Sequence, residues 1–298
     1  MAKKITFHSY KGGAGRSSTT LNVLPYLVNA LKADAAHPIL LLDTDVDSAG
    51  MTYLLNKAEH FASKENVDVK KLLKGDVMFK TRHIDDVRSH EFLSRFLPVG
   101  ELVGVENEAI LFLGTNDRDP IDNNDIDGTS EELINRLAIF ADNNEDIRAI
   151  VMDSASGSQT VANFATDFAD TIVSCMRPTM QFRMGTFRYL TGRADRNQSQ
   201  KIVLLPTVVP NTDVEIDGTF QREEALTMIQ RGANKLEGRL VINTDFVKDD
   251  CFGINEVQRF KWLEGVLYKI DNEKGLVNED EKLAASRYKK LAEILAEN

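Results

Sequence analysis

The sequence predicts an α/β protein in which helices cover both faces of a mostly parallel sheet. Short apolar runs rich in β-branched residues alternate along the chain with stretches of helical periodicity, and this alternation is typical of parallel sheets. Most of the runs are continuously apolar, as expected for strands buried on both faces. With 298 residues the chain can bury a large core. We expect one domain over residues 1–298, with a surface insertion at about 56–130.

The individual elements follow from the same patterns. Apolar, β-branched composition predicts strands at Lys3–His8, Pro38–Asp43, Ala109–Gly114, Ile147–Asp153, Thr171–Met176, Lys201–Val209 and Arg239–Asn243. Helical spacing predicts helices at Ser17–Ala33, Ser130–Asn143, Ser158–Phe168, Thr179–Arg193, Phe220–Arg231 and Glu279–Glu297. Pro25 removes one hydrogen bond from the first helix and predicts a kink. The polar stretches from Asn56 to about Arg95 and from Asn116 to Gly128 predict surface loops.

Composition narrows the classes of function. The formal net charge of −10 opposes indiscriminate binding to nucleic acid or anionic lipid. No run approaches the roughly 18 apolar residues of a membrane span. The N-terminus enters a strand without a signal-like apolar core, so we expect a cytoplasmic protein. Cys175 and Cys251 fit neither a CxxC site nor a disulfide framework, and we expect buried thiols.

A glycine-rich loop lies between the first predicted strand and the first predicted helix, with the sequence Tyr10-Lys11-Gly12-Gly13-Ala14-Gly15-Arg16-Ser17-Ser18. Glycines allow successive backbone N–H groups to point at a phosphate, and the helix N-terminus adds a favourable dipole. Relative to the phosphate-loop pattern GxxxxGK[ST], Tyr10 replaces the first glycine and Arg16 replaces the lysine. The loop therefore predicts a phosphate site.

Carboxylates end two of the predicted strands. Asp43 and Asp45 follow the apolar run Leu40–Leu42, and Asp153 ends the strand that begins at Ile147. Strand-end carboxylates beside a phosphate loop suit Mg²⁺, which prefers oxygen ligands. The five histidines show no spacing typical of metal ligands, so no other metal chemistry is predicted.

These motifs together resemble the ParA/MinD family of ATPases. Lys11 directly before Gly-Gly is similar to the family's deviant Walker A loop, and the segment from Asp43 to Gly50 resembles its switch I. Asp153 to Gly157 is similar to Walker B and switch II, without the usual prolines. The resemblance implies a P-loop fold that binds ATP with Mg²⁺. It also implies an ATP-dependent homodimer that hydrolyses ATP slowly and positions or regulates a partner protein.

Residue roles are carried over from the same resemblance. It implies a nucleotide-binding loop formed by Lys11, Gly12, Gly13, Ala14, Gly15, Arg16, Ser17 and Ser18. Ser17, Asp43 and Asp153 would serve the metal, and Asp45 would orient the attacking water. Lys11 would reach the nucleotide of the opposite subunit. The segment Val241–Asp245 lacks the proline of the family's adenine loop, so no base-contacting residue is predicted.

Other functions remain open at this stage. Because Arg16 replaces a lysine, the chain could be a nucleotide-gated switch with little hydrolysis. An ATP-dependent biosynthetic enzyme of the same P-loop class is a further alternative. The segment 177–196 is rich in arginine and aromatic residues, which suits DNA, a partner protein or a solvated helix face. The acidic end of the last helix disfavours membrane attachment.

Overall fold

The computed structural model describes residues 1–63, 65–73, 93–116, 130–143, 145–158, 160–196, 199–210, 222–254 and 279–297, and the statements below concern these ranges. Eight strands form one sheet: β1 (Lys3–His8), β2 (Ile39–Thr44), β3 (Leu97–Pro98), β4 (Ile110–Leu113), β5 (Ala149–Ser154), β6 (Thr171–Met176), β7 (Lys201–Pro206) and β8 (Val241–Asn243). The α-helices are α1 (Arg16–Leu31), α2 (Gly50–Leu54), α3 (Ala58–Ala62), α4 (Val69–Leu73), α5 (Ser130–Asn143), α6 (Thr160–Phe168), α7 (Met180–Ala194), α8 (Arg222–Asn234) and α9 (Glu279–Ala296).

The strand order is β3-β4-β2-β5-β1-β6-β7-β8. All neighbouring strands are parallel except β3, which pairs antiparallel with β4 at the edge of the sheet. β1 therefore lies near the centre, between β5 and β6. Because parallel strands end at the same edge, the segments after β1, β2, β5, β6 and β7 meet there.

The core consists of two apolar clusters. The larger cluster includes residues of α1 and α9, and the smaller one includes residues of α7 and α8. Successive residues of β6 divide between them, since Cys175 belongs to the first and Met176 to the second. The strands thus bury both faces, which explains their continuous apolar composition. Cys175 and Cys251 are free and buried, as expected.

The predicted fold class is confirmed, and strand β6 and helix α5 have the predicted bounds. The described part of the region from Asn56 to Arg95 differs from its interpretation as a surface loop. Phe61 on α3 and Val69 and Leu72 on α4 are buried in the larger cluster. These helices have only five residues each, too short to show a clear helical period.

Some predicted features fall outside the described residues. These are most of the loop Asn116–Gly128, residues 74–92 of the insertion, and the start of the predicted helix Phe220–Arg231, which corresponds to α8. Within the described ranges, no helix combines the length and the apolar character needed to cross a bilayer.

Candidate functional site

The glycine-rich loop connects the end of β1 to the start of α1. Gly13 and Gly15 have positive φ values of 77° and 71°, which L side chains rarely adopt. A Cβ atom at Gly13 would meet no atom within 4 Å, so the loop faces open space there. Among the described residues, no side chain caps the N-terminus of α1. The free N–H groups of this helix end provide hydrogen bonds for an anion.

Two side chains from the neighbouring strand ends hold the loop from behind. Arg177, which follows β6, donates from Nε to the Gly13 carbonyl oxygen at 2.7 Å. Thr207, which follows β7, donates from Oγ1 to the Ala14 carbonyl oxygen at 2.5 Å. These two bonds fix the orientation of the peptide groups that carry the Gly13 and Ala14 carbonyl oxygens. The sequence interpretation gave neither residue this role. Thr207 lies within the predicted strand Lys201–Val209, and Arg177 was placed only in the arginine-rich segment 177–196.

Arg16 is the most constrained cation of the site. Its side chain is only 7% exposed, and Nε donates to Asp153 Oδ1 at 2.5 Å while Nη2 donates to Asp45 Oδ2 at 2.6 Å. Nη1 also lies 3.4 Å from the Ser9 hydroxyl. Burial lowers the pKa of Arg16, but Asp153 and Asp45 outweigh this effect and raise it above its ordinary value. In this structure, therefore, Arg16 bridges two of the predicted functional carboxylates.

The three carboxylates occupy different environments. Burial, together with the negative charge of Asp153, raises the pKa of Asp43 to about 7. Asp43 Oδ2 accepts hydrogen bonds from the backbone N–H (2.8 Å) and hydroxyl (2.7 Å) of Thr52 on α2. Burial also raises the pKa of Asp153, whereas Arg16 and Ser17 lower it. Asp153 Oδ2 is buried and has no hydrogen-bond partner among the described residues.

A cavity of about 570 Å³ collects most of the predicted residues. It is lined by Ser9, Gly12, Gly13, Ala14, Gly15, Arg16, Ser17, Ser18, Asp45, Asp47, Ser48, Gly50, Leu54, Ala155 and Ser156. Lys11 lies at the exposed side, where Nζ donates to Gln181 Oε1 at 3.1 Å. Asp153 lies behind Arg16, and Asp43 is turned toward α2 instead of the cavity.

Tyr10, which replaces the usual first glycine of the phosphate loop, packs against helix α7. A Cβ atom at Gly185 would lie 2.0 Å from Tyr10 Cδ1 and 2.3 Å from Cε1. The absence of a side chain at Gly185 therefore makes room for the tyrosine ring. This contact explains how the loop accommodates a bulky residue at that position.

We expect Gly185→Ala to destabilise the protein by about 1–3 kcal/mol, because the added methyl group overlaps the Tyr10 ring. Gly192→Ala is the matched control, since Gly192 lies on the same helix with no atom within 4 Å of its Cβ position. This control should stabilise the protein by about 0.5–1 kcal/mol through helix propensity. Urea unfolding measures both changes. Equal effects of the two substitutions would contradict the packing of Tyr10.

His8, at the end of β1, is a buried neutral group beside the site. Its Nδ1 lies 3.0 Å from the Ser154 hydroxyl, which itself donates to the Ala155 carbonyl oxygen. Ser154 thus accepts from Nδ1–H, leaving a proton-free Nε2. The ring lies 4.3 Å from the Tyr189 ring, between centroids. Burial, reinforced by the charges of Arg16 and Arg193, lowers the pKa of His8 to about 3.

The unfolded chain binds a proton at His8 near pH 6.5, whereas the folded chain does so only near pH 3. Stability from this group is therefore present above pH 6.5 and lost as the pH falls toward 3. We expect His8→Phe, which keeps a ring against Tyr189, to remove about 2 kcal/mol of the loss in unfolding free energy between pH 7.5 and pH 5. Urea titrations at these two pH values measure the difference. An unchanged pH dependence would contradict a buried neutral His8.

The arginines of the arginine-rich segment 177–196 lie in different environments. Arg177 holds the glycine-rich loop, and Arg193 is buried with bonds to Asp167, Gln200 and the Thr166 carbonyl oxygen. Arg188 and Arg196 are exposed. Tyr189, one of the aromatic residues of the segment, is buried. A helix face on which every arginine is solvated, one of the three alternatives for this segment, does not fit, because Arg193 is buried.

No family model and no curated protein matches this sequence. Solved structures match its fold. A McdA variant from Cyanothece in complex with ATP has a TM-score of 0.62 at 14% identity, covering 99% of this chain and 95% of that one. Cobyrinic acid a,c-diamide synthase from Mycobacterium smegmatis with ADP and magnesium has a TM-score of 0.58 at 15% identity, with 98% and 93% covered. A chain of the MinC:MinD cell division protein complex of Aquifex aeolicus has a TM-score of 0.56 at 17% identity, covering 96% of this chain and 95% of that one. The chain therefore has the fold of ParA/MinD-type P-loop ATPases.

Proposed function

We propose that this protein is a ParA/MinD-like ATPase that binds ATP with Mg²⁺, dimerises on it and hydrolyses it to control a partner protein in the cytoplasm. The observation that carries the proposal is the contact of Arg16 in the glycine-rich loop with Asp45 and Asp153. It brings a loop suited to phosphate together with carboxylates from two further strand ends. The fold shared with McdA and MinD structures supports the same function. We treat residues 1–298 as one ATPase domain.

The residues present fit both ligands. The uncapped end of α1 and the amides of Gly12, Gly13 and Gly15 suit the phosphates. Asp153 Oδ2, which has no hydrogen-bond partner among the described residues, suits the shell of a divalent cation, and so does the Ser17 hydroxyl in the cavity. When bound, Mg²⁺ neutralises charge on the phosphate oxygens. Asp43, bound to Thr52, supports the metal site by fixing the backbone that carries Asp45.

Binding requires an exchange of partners at Arg16. Phosphate oxygens compete with Asp45 and Asp153 for the guanidinium group, which matches such oxygens in a bidentate manner. When Arg16 turns to the phosphates, Asp153 becomes available to the metal shell and Asp45 to an attacking water. The same side chain thus keeps the carboxylates occupied before nucleotide binds.

Gly13→Val tests the binding step. We expect this substitution to abolish ATP binding in calorimetry with Mg²⁺, because the side chain would occupy the open space of the loop. Gly238→Val is the matched control, since Gly238 also has a positive φ (79°) and no neighbour within 4 Å. It should cause similar backbone strain and leave ATP affinity unchanged. Undiminished affinity of a folded Gly13→Val variant would mean that the loop is structural.

A nucleotide-gated switch with little hydrolysis is the second candidate, and the Arg16 contacts favour it specifically. Asp45 can orient water only while it is free of Arg16, so a strong ion pair between them slows hydrolysis. Single-turnover measurement of phosphate release separates the two candidates. Release within minutes identifies an ATPase, whereas ATP that stays bound and intact for hours identifies a switch.

A further inference from the structure

Helices α7 and α8 enclose a surface groove of about 880 Å³, and its described lining includes no residue of the glycine-rich loop. We refer to it as the α7–α8 groove. Residues of both helices line it, among them Met180, Arg183, Met184, Phe187, Met228 and Arg231. The helices approach closely at its floor, where a Cβ atom on Gly232 would lie 2.5 Å from the Phe187 ring.

Three methionines make the groove apolar yet accessible. Met180, Met184 and Met228 are 65%, 64% and 42% exposed, which is unusual for large apolar side chains that lie together. Methionine is unbranched and polarisable, so a methionine surface can adapt to a ligand's apolar side chains. This combination is typical of grooves that receive an amphipathic helix.

The polar part of the groove is basic, although the chain has a net charge of −10. Arg183, Arg231 and Lys235 line it, and Glu224 is the one acidic residue among the described lining residues. Arg239 pairs with Asp195, which is not among them. Arg183 Nη1 is buried and has no hydrogen-bond partner among the described residues. A buried donor without a partner costs free energy that an incoming carboxylate would recover. The charges therefore complement an acidic ligand.

We propose that the α7–α8 groove is a docking site for an amphipathic helix of a partner protein, with an apolar stripe flanked by acidic side chains. The lining residues of α7, from Met180 to Thr191, extend over roughly 16 Å, which matches about three turns of a docked helix. Duplex DNA carries no apolar stripe for the three methionines. Arg183, whose buried Nη1 has no hydrogen-bond partner among the described residues, also suits a single side-chain carboxylate better than the broad surface of a bilayer.

Two fluorescent probe peptides test the proposal, without nucleotide. Both carry leucines at helical spacing, flanked by glutamates in one peptide and by lysines in the other. We expect the glutamate peptide to bind the full-length protein at least about tenfold more tightly in fluorescence anisotropy. Met184→Asp should abolish binding, and Arg183→Glu should reverse the preference toward the lysine peptide. Arg188→Glu, an exposed change on another side of α7, is the matched control and should leave affinity unchanged.

Several results would overturn the proposal. These are equal affinity for the two peptides, insensitivity to both groove substitutions, or tighter binding of a DNA duplex or of anionic phosphatidylserine vesicles through Met184. Light scattering that shows self-association lost in Met184→Asp would assign the groove to a second copy of the chain instead. Because the experiment contains no ATP, its failure leaves the proposed ATPase function unaffected.

Discussion

Replacing Arg16 with alanine is expected to lower the free energy of unfolding by about 3–5 kcal/mol at pH 8. The substitution leaves Asp153, which is fully buried, and Asp45 without their shared counter-charge. Removing one partner of a buried ion pair destabilises a protein far more than replacing both charged residues by apolar ones, because it leaves an uncompensated buried charge. At pH 5 the loss should be smaller, because burial raises the pKa of Asp153 and an uncompensated carboxyl group takes up a proton more readily. Urea unfolding at the two pH values measures this.

Two further variants make the test specific. Arg16→Lys keeps a charge and should lose less stability than alanine. The double variant Arg16→Ala with Asp153→Asn removes the uncompensated charge of the buried Asp153 carboxylate. It should therefore recover much of the free energy of unfolding that Arg16→Ala loses. Arg16→Ala should also weaken ATP binding strongly, whereas Arg16→Lys should retain binding and accelerate hydrolysis. A stability of Arg16→Ala within about 1 kcal/mol of the unsubstituted protein would contradict the buried bridge.

The second large effect concerns Lys11. We expect Lys11→Ala to remain monomeric with ATP and to lose at least about 10³-fold in hydrolysis rate, as when a cation supplied in trans is removed. Arg16 already places one cation at the loop, and Lys11 is exposed with only Gln181 as its hydrogen-bond partner in the described residues. A second cation at this position is best explained if Lys11 contacts the nucleotide that is bound by the other subunit.

Asp45→Ala complements this test. It removes the group that would orient water but keeps the phosphate contacts, so we expect a stable dimer with ATP. Light scattering with and without ATP distinguishes monomer from dimer, and Gln181→Ala controls for loss of the Lys11 hydrogen bond alone. If Lys11→Ala dimerises and hydrolyses ATP normally, the trans-lysine mechanism is wrong and only a phosphate loop remains.

The central strands were predictable because burial on both faces leaves a continuous apolar run, as in β5 and β6. Strand β3 was not, since two residues ending in Pro98 at a sheet edge leave no pattern. The glycine-rich loop was recognisable from its letters, because its function depends on local backbone freedom. The residues that support the loop were not predicted, because their role depends on contacts between distant parts of the chain. Thr207 and Gly185 act on the loop across more than 170 positions of sequence, through the topology of the sheet.

The bonds from Arg177 and Thr207 to the loop carbonyls have a kinetic consequence. A loop that is already ordered loses little conformational entropy when a ligand arrives, because most of that entropy was lost during folding. Association of nucleotide should then be limited by diffusion and by the rotation of one side chain, Arg16, instead of by closure of a disordered segment. Freeing the two carbonyls would slow capture of nucleotide more than it would speed its escape.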